Sequence, residues 1–313
     1  MKVLVTGGTG MVGQGFKDIE TDHVIELIGS KQYDLRSWED TRAMLIDKSP
    51  DAIIHLAARV GGVKGNTEYV ADFFCDNIRI NTNVLQAAKK FGTQKVVSML
   101  STCVYPDDVT YPLTEDQIHE GPPHISNFGY AYAKRMLDVH SRALRQQYGC
   151  NFISAVPNNL YGPHDNFDLE NGHVIPAIIR KVWEAKITGK PPTFWSDGSA
   201  LREFTYAPDI SRILLHLLHE YNDPTPINIG ITEERSIASV VQLVCENLGY
   251  TDGVLWDETK PAGQFRKPSS NDNFLSTGWN NSRYTQFEDG LKKTCDWFVK
   301  SYPNVRGYEQ NEQ

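Results

Sequence analysis

A glycine-rich turn directly after the first apolar segment constrains the fold of this chain more than any other feature. Residues Lys2–Thr6 read as a short strand, and residues 7–13 (GGTGMVG) follow it without a gap. The glycines match the pattern GxGxxG, in which a tight turn brings the backbone close to a pyrophosphate at the start of the next helix. A structural glycine turn without a ligand is the alternative. The position at the first turn of a strand–helix alternation favours a dinucleotide site.

Short apolar strands alternate with helical stretches through the first half of the chain. After the first strand, further strands are predicted over residues 24–28, 52–57, 95–101 and 151–157. Such alternation is typical of parallel pairing with right-handed crossovers. The sequence therefore predicts an α/β fold, a Rossmann-like doubly wound parallel sheet.

The second half of the chain is less regular and predicts a smaller lobe. Residues 158–171 are rich in Asn, Asp, Gly and Pro and are predicted to form a loop, with a helix over 173–188 after it. The predicted nucleotide-binding domain spans residues 1–158, with 206–231 returning to it. Residues 159–205 and 232–313 are predicted to form an interleaved C-terminal lobe that binds the substrate.

Composition and charge exclude several classes of protein. The 313 residues carry a net charge of −8, without the basic face of a general nucleic-acid binder. No apolar stretch approaches the roughly 20 residues that span a bilayer, so no membrane partner is expected. The five cysteines are odd in number and lack metal-like spacing, which predicts no metal site and a reducing, cytoplasmic compartment.

The end of the second strand predicts which dinucleotide binds. Ser30 and Lys31 follow this strand, and no carboxylate occurs before Asp34. A hydroxyl and an ammonium suit a 2′-phosphate better than a ribose diol, so NADP(H) is the predicted cofactor. In the alternative interpretation, Lys31 is a solvated surface lysine and Asp34 holds the ribose of NAD.

Three side chains predict a proton-transfer centre. Tyr130 and Lys134 are four residues apart and share one face of a predicted helix. The ammonium, together with an oxidised nicotinamide, is expected to lower the phenol pKa from about 10. Ser101, at the end of the fourth strand, can hydrogen-bond the reacting oxygen. Tyr132 is a rival acid, but its spacing to Lys134 places it on another face.

These residues together resemble the extended short-chain dehydrogenase/reductase family, whose members modify nucleotide sugars. Four longer motifs narrow the resemblance to members that act on GDP-bound 4-keto-6-deoxy sugars: residues 56–62 (LAARVGG), 100–106 (LSTCVYP), 159–167 (NLYGPHDNF) and 172–176 (GHVIP). The resemblance implies 3,5-epimerisation of the sugar followed by NADPH-dependent reduction at C4. It also implies a homodimer formed through helices near residues 70–91 and 130–148.

The resemblance assigns the epimerisation to Cys103 and His173, one as base and one as acid. The chemistry agrees, because a ketone acidifies its neighbouring C–H bonds and a thiol and an imidazole both titrate near neutral pH. Cys103 lies two residues after Ser101, so both side chains would leave the same side of an extended segment. An inert buried cysteine and a helix-capping histidine are the alternatives.

The resemblance also implies two larger sets of ligand-binding residues. Contacts to the dinucleotide are expected from Gly7, Gly10, Met11, Gly13, Ser30, Lys31, Asp34, Leu35, Leu56, Ala57 and Ala58, with Tyr130 and Lys134. Candidates for the GDP-sugar are Asn159, Lys181, Trp195, Arg202 and Lys267. Arg202 and Lys267 could meet the diphosphate, and Trp195 could pack on the base or sugar.

Two other functions are compatible with parts of the pattern. A nucleotide-sugar 4-epimerase that retains NAD uses the same serine, tyrosine and lysine but needs no cysteine–histidine pair. A non-enzymatic Rossmann protein that senses NADP(H) would have no use for Ser101, Tyr130 and Lys134 together.

Overall fold

Strands and helices alternate along the chain in the computed structural model, which describes residues 1–260 and 265–308. The strands are β1 Lys2–Thr6, β2 Val24–Ile28, β3 Ala52–His55, β4 Lys95–Met99, β5 Asn151–Pro157, β6 Asn159–Tyr161, β7 Thr193–Trp195, β8 Leu201–Tyr206, β9 Ile227–Ile229, β10 Glu234–Ser236 and β11 Leu255–Asp257. The α-helices are α1 Met11–Gln14, α2 Trp38–Lys48, α3 Val63–Glu68, α4 Val70–Lys90, α5 Phe128–Tyr148, α6 Val174–Thr188, α7 Ala207–Glu220, α8 Ile237–Leu248, α9 Asp272–Leu275 and α10 Phe287–Ser301.

Six strands form one parallel sheet in the order β2-β1-β3-β4-β5-β9. This confirms the predicted Rossmann-like α/β fold. The strand order reverses direction around β1, so a crevice opens at the carboxyl ends of β1 and β3, where such sheets bind ligands. The last strand, β9, comes from the second half of the chain, whereas the exact domain bounds stay a prediction.

Alternating side chains of the strands bury both faces of the sheet. Val3 and Val5 pack with Ile210 and Leu214 of α7 on one face. Leu4 and Ile53 face the other way and pack with Leu85 and its neighbours on α4. Since successive strand residues point to opposite faces, helices on both sides are needed to cover this sheet.

The second lobe contains two small sheets. One has the order β10-β8-β6 and the other pairs β11 with β7. The predicted loop over 158–171 was wrong for Asn159–Tyr161, which pair with β8 as a parallel strand. The sequence also did not predict β8 or β10. The three residues of β10 are too few to show a clear period in the sequence, and the six residues of β8 do not alternate between buried and exposed, so both strands depend on tertiary pairing.

The helix after the glycine turn is short. Met11–Gln14 is α-helical, and Gly15–Asp18 continues as a 3₁₀ turn. Among the described helices, none combines the length and apolar character needed to cross a bilayer.

Candidate active site

A cleft of about 1140 Å³ lies at the carboxyl ends of the central strands. The segments after β1, β2, β3 and β4 line one part of it, and the segments around β6 and the start of α6 line another. Its volume exceeds the ~300–1,000 Å³ of a typical small-molecule pocket. The cleft therefore has room for a dinucleotide together with part of a second ligand.

The glycine turn forms one end of this cleft. Gly7 has a φ of 70°, in the left-handed region, and a Cβ on it would lie 2.8 Å from the Ala57 nitrogen. A Cβ on Gly13 would lie 2.5 Å from the Gly8 Cα, so this helix–turn contact requires glycine. Gly10 begins the helix without a side-chain cap. An uncapped helix start behind a close-packed glycine turn suits a pyrophosphate.

The predicted cofactor residues after β2 do not all line the cleft. Ser30, Asp34 and Leu35 line the cleft, whereas Lys31 is exposed and lies outside its lining. Arg36, which the sequence analysis did not single out, also lines the cleft. Its guanidinium donates to both oxygens of Asp34, with Nε–Oδ1 at 2.9 Å and Nη2–Oδ2 at 2.8 Å. This pair raises the pKa of Arg36 and lowers that of Asp34, so both side chains are charged and hold each other at this end of the cleft.

Ser101 and Cys103 line the cleft together after β4. The backbone between them is not extended as predicted, because Thr102–Val104 form a 3₁₀ turn. The Cys103 N–H donates to Ser101 Oγ at 3.4 Å, which fixes the serine at the start of the turn. This 3₁₀ turn, and not the alternation of a strand, therefore brings the hydroxyl and the thiol into the same cleft.

The Cys103 thiol has a raised pKa in this structure. Burial is the main cause, and the hydrogen bond from Ser101 and the ammonium groups of Lys267 and Lys134 oppose it. The sequence instead predicts a thiol that titrates near neutral pH. Desolvation of the charged thiolate outweighs the nearby cations.

Tyr130 lines the cleft, and Lys134 lies directly behind it. The Lys134 Nζ is 5.8 Å from the centre of the Tyr130 ring and donates to the Met99 carbonyl at 2.7 Å. Burial, followed by the charge of Cys103, raises the pKa of the Tyr130 phenol, opposite to the lowering expected from sequence. Burial also lowers the pKa of Lys134 to about 8. Tyr132 packs instead edge-on against Phe128.

A buried histidine that the sequence analysis did not mention lies near Lys134. His55 accepts or donates hydrogen bonds at both ring nitrogens, to Thr6 Oγ1 at 2.8 Å and Asn81 Oδ1 at 3.1 Å. Burial and the charge of Lys134 lower the pKa of His55 to about 3. The imidazole is therefore neutral and adds no second positive charge beside Lys134.

His173 precedes α6 and lines the cleft with Asp165 and Arg306. The interaction with the Asp165 carboxylate raises the pKa of His173, whereas burial and the charge of Arg306 oppose it. An imidazole with a raised pKa keeps its proton at higher pH and can act as an acid. Asp165 and Arg306 were not predicted, because nothing in the local sequence pairs them with His173.

The candidate substrate residues do not all lie in the cleft. Asn159 lines it, and its Nδ2 donates to the Glu203 carbonyl at 2.9 Å. The Lys267 Nζ donates to the Thr102 carbonyl at 3.1 Å, next to Cys103. Arg202 lies on the same face of β8 as Phe204, a residue of the cleft wall.

The two remaining candidates are further from the cleft. Lys181 donates to the Thr193 carbonyl at 2.9 Å, and Trp195 ends the same short strand with 64% of its surface exposed. Within the described residues, no group of three or more His, Cys, Asp or Glu side chains could hold a metal ion.

The strand ends thus bring a phenol, a hydroxyl and a buried lysine into one cleft with a glycine turn. This arrangement defines an NAD(P)-dependent enzyme of the short-chain dehydrogenase/reductase class, with a thiol and an imidazole added at the same cleft.

Comparison with known proteins narrows this class. The model of the NAD dependent epimerase/dehydratase family matches residues 3–230. The GDP-L-fucose synthase of Dictyostelium discoideum is 42% identical and aligns over 97% of each chain. A probable GDP-L-fucose synthase of Drosophila melanogaster is 37% identical over 97% of this chain and 99% of that protein. A crystal structure of a GDP-L-fucose synthetase from Naegleria fowleri bound to NADP has a TM-score of 0.91, at 40% identity over 97% of this chain and 94% of that one. The chain therefore belongs to the NAD dependent epimerase/dehydratase family, in the branch that contains the GDP-L-fucose synthases.

Proposed function

We propose that this enzyme converts GDP-4-keto-6-deoxy-D-mannose to GDP-L-fucose, by epimerisation at C3 and C5 and then reduction at C4. The observation that carries the proposal is the single cleft that holds Cys103 and His173 together with Tyr130 and the glycine turn. A reductase alone needs only Tyr130 and the dinucleotide site, whereas an epimerase also needs an acid and a base beside the ketone. The similarity to GDP-L-fucose synthases over almost the whole chain supports the same substrate.

The chain's residues fit NADP(H) as the cofactor, which when bound would supply the hydride for C4. The glycine turn would hold the pyrophosphate, and the segment Leu56–Ala58 would lie along the dinucleotide. Arg36 would pair with a 2′-phosphate, since its planar guanidinium suits bidentate contacts with phosphate oxygens. Asp34 and Arg36 are paired with each other in this structure, so a 2′-phosphate would compete with the Asp34 carboxylate for the guanidinium.

Epimerisation requires one proton to leave a carbon beside the ketone and another to arrive from the opposite face. Cys103, as thiolate, would remove the C–H proton and leave an enolate. His173, as imidazolium, would return a proton to the other face. Cys103 then carries the proton and His173 is neutral, and exchange with solvent restores both. Asp165 raises the pKa of His173, which suits the acid. The pKa of Cys103 is raised by burial, so the base would depend on Lys267 and Lys134, whose charges favour the thiolate.

Reduction of the ketone requires a proton for the C4 oxygen. Tyr130 would donate it, because the phenol is protonated at neutral pH and lines the cleft, although its raised pKa makes the phenol a weaker acid. Ser101 would orient the same oxygen from the end of β4. Lys134 lies behind the ring and would stabilise the phenolate that remains.

The lobe would hold the GDP moiety. Asn159 lines the cleft and Arg202 lies on the same face of β8 as Phe204 of its wall, which supports contacts of both with the sugar diphosphate. Lys267, beside Thr102, would bridge the diphosphate side and Cys103. Trp195 and Lys181 would bind the more distant base, for which the 64% exposed indole offers a free face.

The assembly and location form part of the proposal. We infer a homodimer through α4 and α5, supported by exposed apolar side chains on these helices, among them Phe74, Met136 and Val139. Sedimentation should give twice the mass of one chain, and Met136→Lys should weaken the dimer. A cytoplasmic location is supported by the five cysteines, all of which are free.

Incubation of the purified enzyme with NADPH and GDP-4-keto-6-deoxy-D-mannose tests the proposed reaction. Oxidation of NADPH should depend on this substrate, and NMR of the product should show GDP-L-fucose. A parallel reaction in D₂O should place solvent deuterium at C3 and C5. NADPH that is not consumed, or a tightly bound NAD that recycles during epimerisation at C4, would contradict the proposal.

A further inference from the structure

A buried carboxylate oxygen beside His173 has no hydrogen-bond partner. Asp165 is only 4% exposed and lines the cleft, yet its Oδ2 makes no hydrogen bond within the described residues. Its other oxygen, Oδ1, accepts the backbone N–H of Asn166 at 2.7 Å. A buried polar group without a partner is costly, so its retention here requires an explanation.

The loop that carries Asp165 is held in a strained conformation. His164, directly before it, has a φ of 66°, which residues other than glycine rarely adopt. The His164 ring packs against Trp297 with ring centres 4.6 Å apart, and the Phe167 N–H donates to the Arg306 carbonyl at 2.8 Å. These contacts hold the backbone on both sides of Asp165.

The groups that act on His173 are Asp165, from the loop after β6, and Arg306, from the end of the chain. Asp165 favours the imidazolium, whereas Arg306 and burial favour the neutral ring. The side-chain interaction with Asp165 has the largest effect on the pKa of His173, so the carboxylate lies close to the ring, although Oδ2 has no partner with full hydrogen-bond geometry. A small rotation of the ring toward Oδ2 would give this oxygen its missing partner.

We propose that Asp165 is a positioning residue for His173, whose carboxylate takes one ring N–H and turns the other toward the sugar carbon. The inference rests on the proposed epimerisation, in which His173 returns a proton to carbon. A carboxylate behind an imidazole fixes which nitrogen faces the substrate and stabilises the charged ring. The proton released to the sugar comes from His173 and is replaced from solvent, so Asp165 itself stays ionised throughout.

Asp165→Asn tests this role, because it keeps the size of the side chain and removes its charge. In D₂O, this variant should incorporate deuterium at C3 and C5 about 10²-fold more slowly than the wild type. This is less than the ~10⁴-fold loss seen when the orienting carboxylate of a Ser-His-Asp triad is replaced. Asp165→Glu should recover part of the rate. The pH above which deuterium incorporation declines should move to lower pH in Asp165→Asn.

The matched control is Asp168→Asn, three residues further along the same loop. Asp168 Oδ1 accepts the N–H groups of Glu170 and Asn171, and an asparagine oxygen can do the same. This variant should incorporate deuterium at the wild-type rate. Equal losses in Asp165→Asn and Asp168→Asn would show a general effect on the loop and overturn the proposal.

NMR titration of histidines labelled with ¹³C at Cε1 tests the coupling without any substrate. His173 in the wild type should titrate above the ordinary histidine pKa, and Asp165→Asn should lower it, with His173→Gln used only to assign the signal. A wild-type pKa of His173 below the ordinary histidine value would overturn the proposal, and this measurement needs no folded variant. The same His173 pKa in the wild type and in Asp165→Asn would overturn it as well. If the wild type incorporates no deuterium from D₂O, the proposed function fails, whereas this titration still decides the coupling.

Discussion

Cys103 and His173 line the same cleft but belong to different parts of the fold. Cys103 follows β4 of the central sheet in a single 3₁₀ turn, with Ser101 and Lys134 close by. His173 precedes α6 in the second lobe and depends on a loop fixed by packing around His164. One candidate group thus comes from the end of a central strand. The other comes from the start of α6, and the Gly62 N–H, in the segment after β3, donates to the Asn171 carbonyl just before it, at 2.9 Å.

The pKa values of the two groups are raised for opposite reasons. Burial raises the pKa of the Cys103 thiol, and the neighbouring cations oppose it. A neighbouring carboxylate raises the pKa of His173, and burial opposes it. The imidazole therefore keeps its proton to higher pH and can donate it, whereas the thiol depends on nearby ammonium groups to lose its proton. The following variants test this division.

Cys103→Ser should have the largest effect. A serine hydroxyl is a far weaker base than a thiolate, so deuterium incorporation at C3 and C5 should fall by about 10³-fold or more. NADPH affinity should stay unchanged, because the glycine turn is untouched. NMR of the sugar after incubation in D₂O measures the first effect and fluorescence titration the second.

The control for this variant is Cys75→Ser, on the exposed side of α4. It should epimerise at the wild-type rate. A Cys103→Ser enzyme that exchanges C3 and C5 protons normally would show that the base lies elsewhere and that Cys103 only lines the cleft.

Tyr130→Phe should separate the two reactions. Loss of the phenol proton donor should slow NADPH oxidation by about 10²- to 10³-fold, while deuterium incorporation changes by less than tenfold. Both rates can be followed in one sample by absorbance and NMR. Tyr132→Phe, which keeps the ring that packs on Phe128, serves as the control and should change neither rate. Equal losses of both reactions in Tyr130→Phe would mean that one acid serves both steps.

The central sheet was predictable because its signals are local. The apolar strands predicted the fold, the glycine turn predicted the cleft segment after β1, and Ser101 predicted the segment after β4. The segment after β3 was predicted only through the resemblance. Ser101 and Tyr130 follow from the same pattern, because strand ends and helix spacing determine them.

The rest of the site depends on contacts that no local pattern contains. The sequence favoured Lys31, but the exposed Lys31 lies outside the cleft and Arg36 lies in it, because the turn after β2 determines which side chain points inward. His173 was predicted only through the resemblance, and Asp165 was not predicted at all. The pKa directions of Cys103 and Tyr130 also differ from expectation, since burial is a tertiary property.

Arg36→Gln should change cofactor preference rather than either reaction. Removing one charge-assisted contact to a 2′-phosphate should raise the KM for NADPH by about 10- to 100-fold and leave the KM for NADH within a few-fold. Steady-state kinetics with both cofactors measure the ratio. Lys31→Gln is the direct comparison, because it removes the lysine that the sequence favoured, and it should have little effect. A larger rise of the KM for NADPH in Lys31→Gln than in Arg36→Gln would show that Lys31 binds the 2′-phosphate.

Lys267→Gln should have the smallest effect and tests how Cys103 loses its proton. Lys267 donates to the carbonyl of Thr102, and its ammonium lowers the pKa of Cys103 against the larger effect of burial. Without it, the pKa of the thiol should rise, so the pH dependence of iodoacetamide alkylation should move to higher pH. At neutral pH the alkylation rate of Cys103 should fall roughly two- to tenfold.

Arg266→Gln removes the cation of the preceding residue, which pairs with Glu234, and should leave the alkylation rate unchanged. An unchanged rate in Lys267→Gln as well would mean that Lys134 alone stabilises the thiolate, and that Lys267 serves the GDP-sugar diphosphate instead.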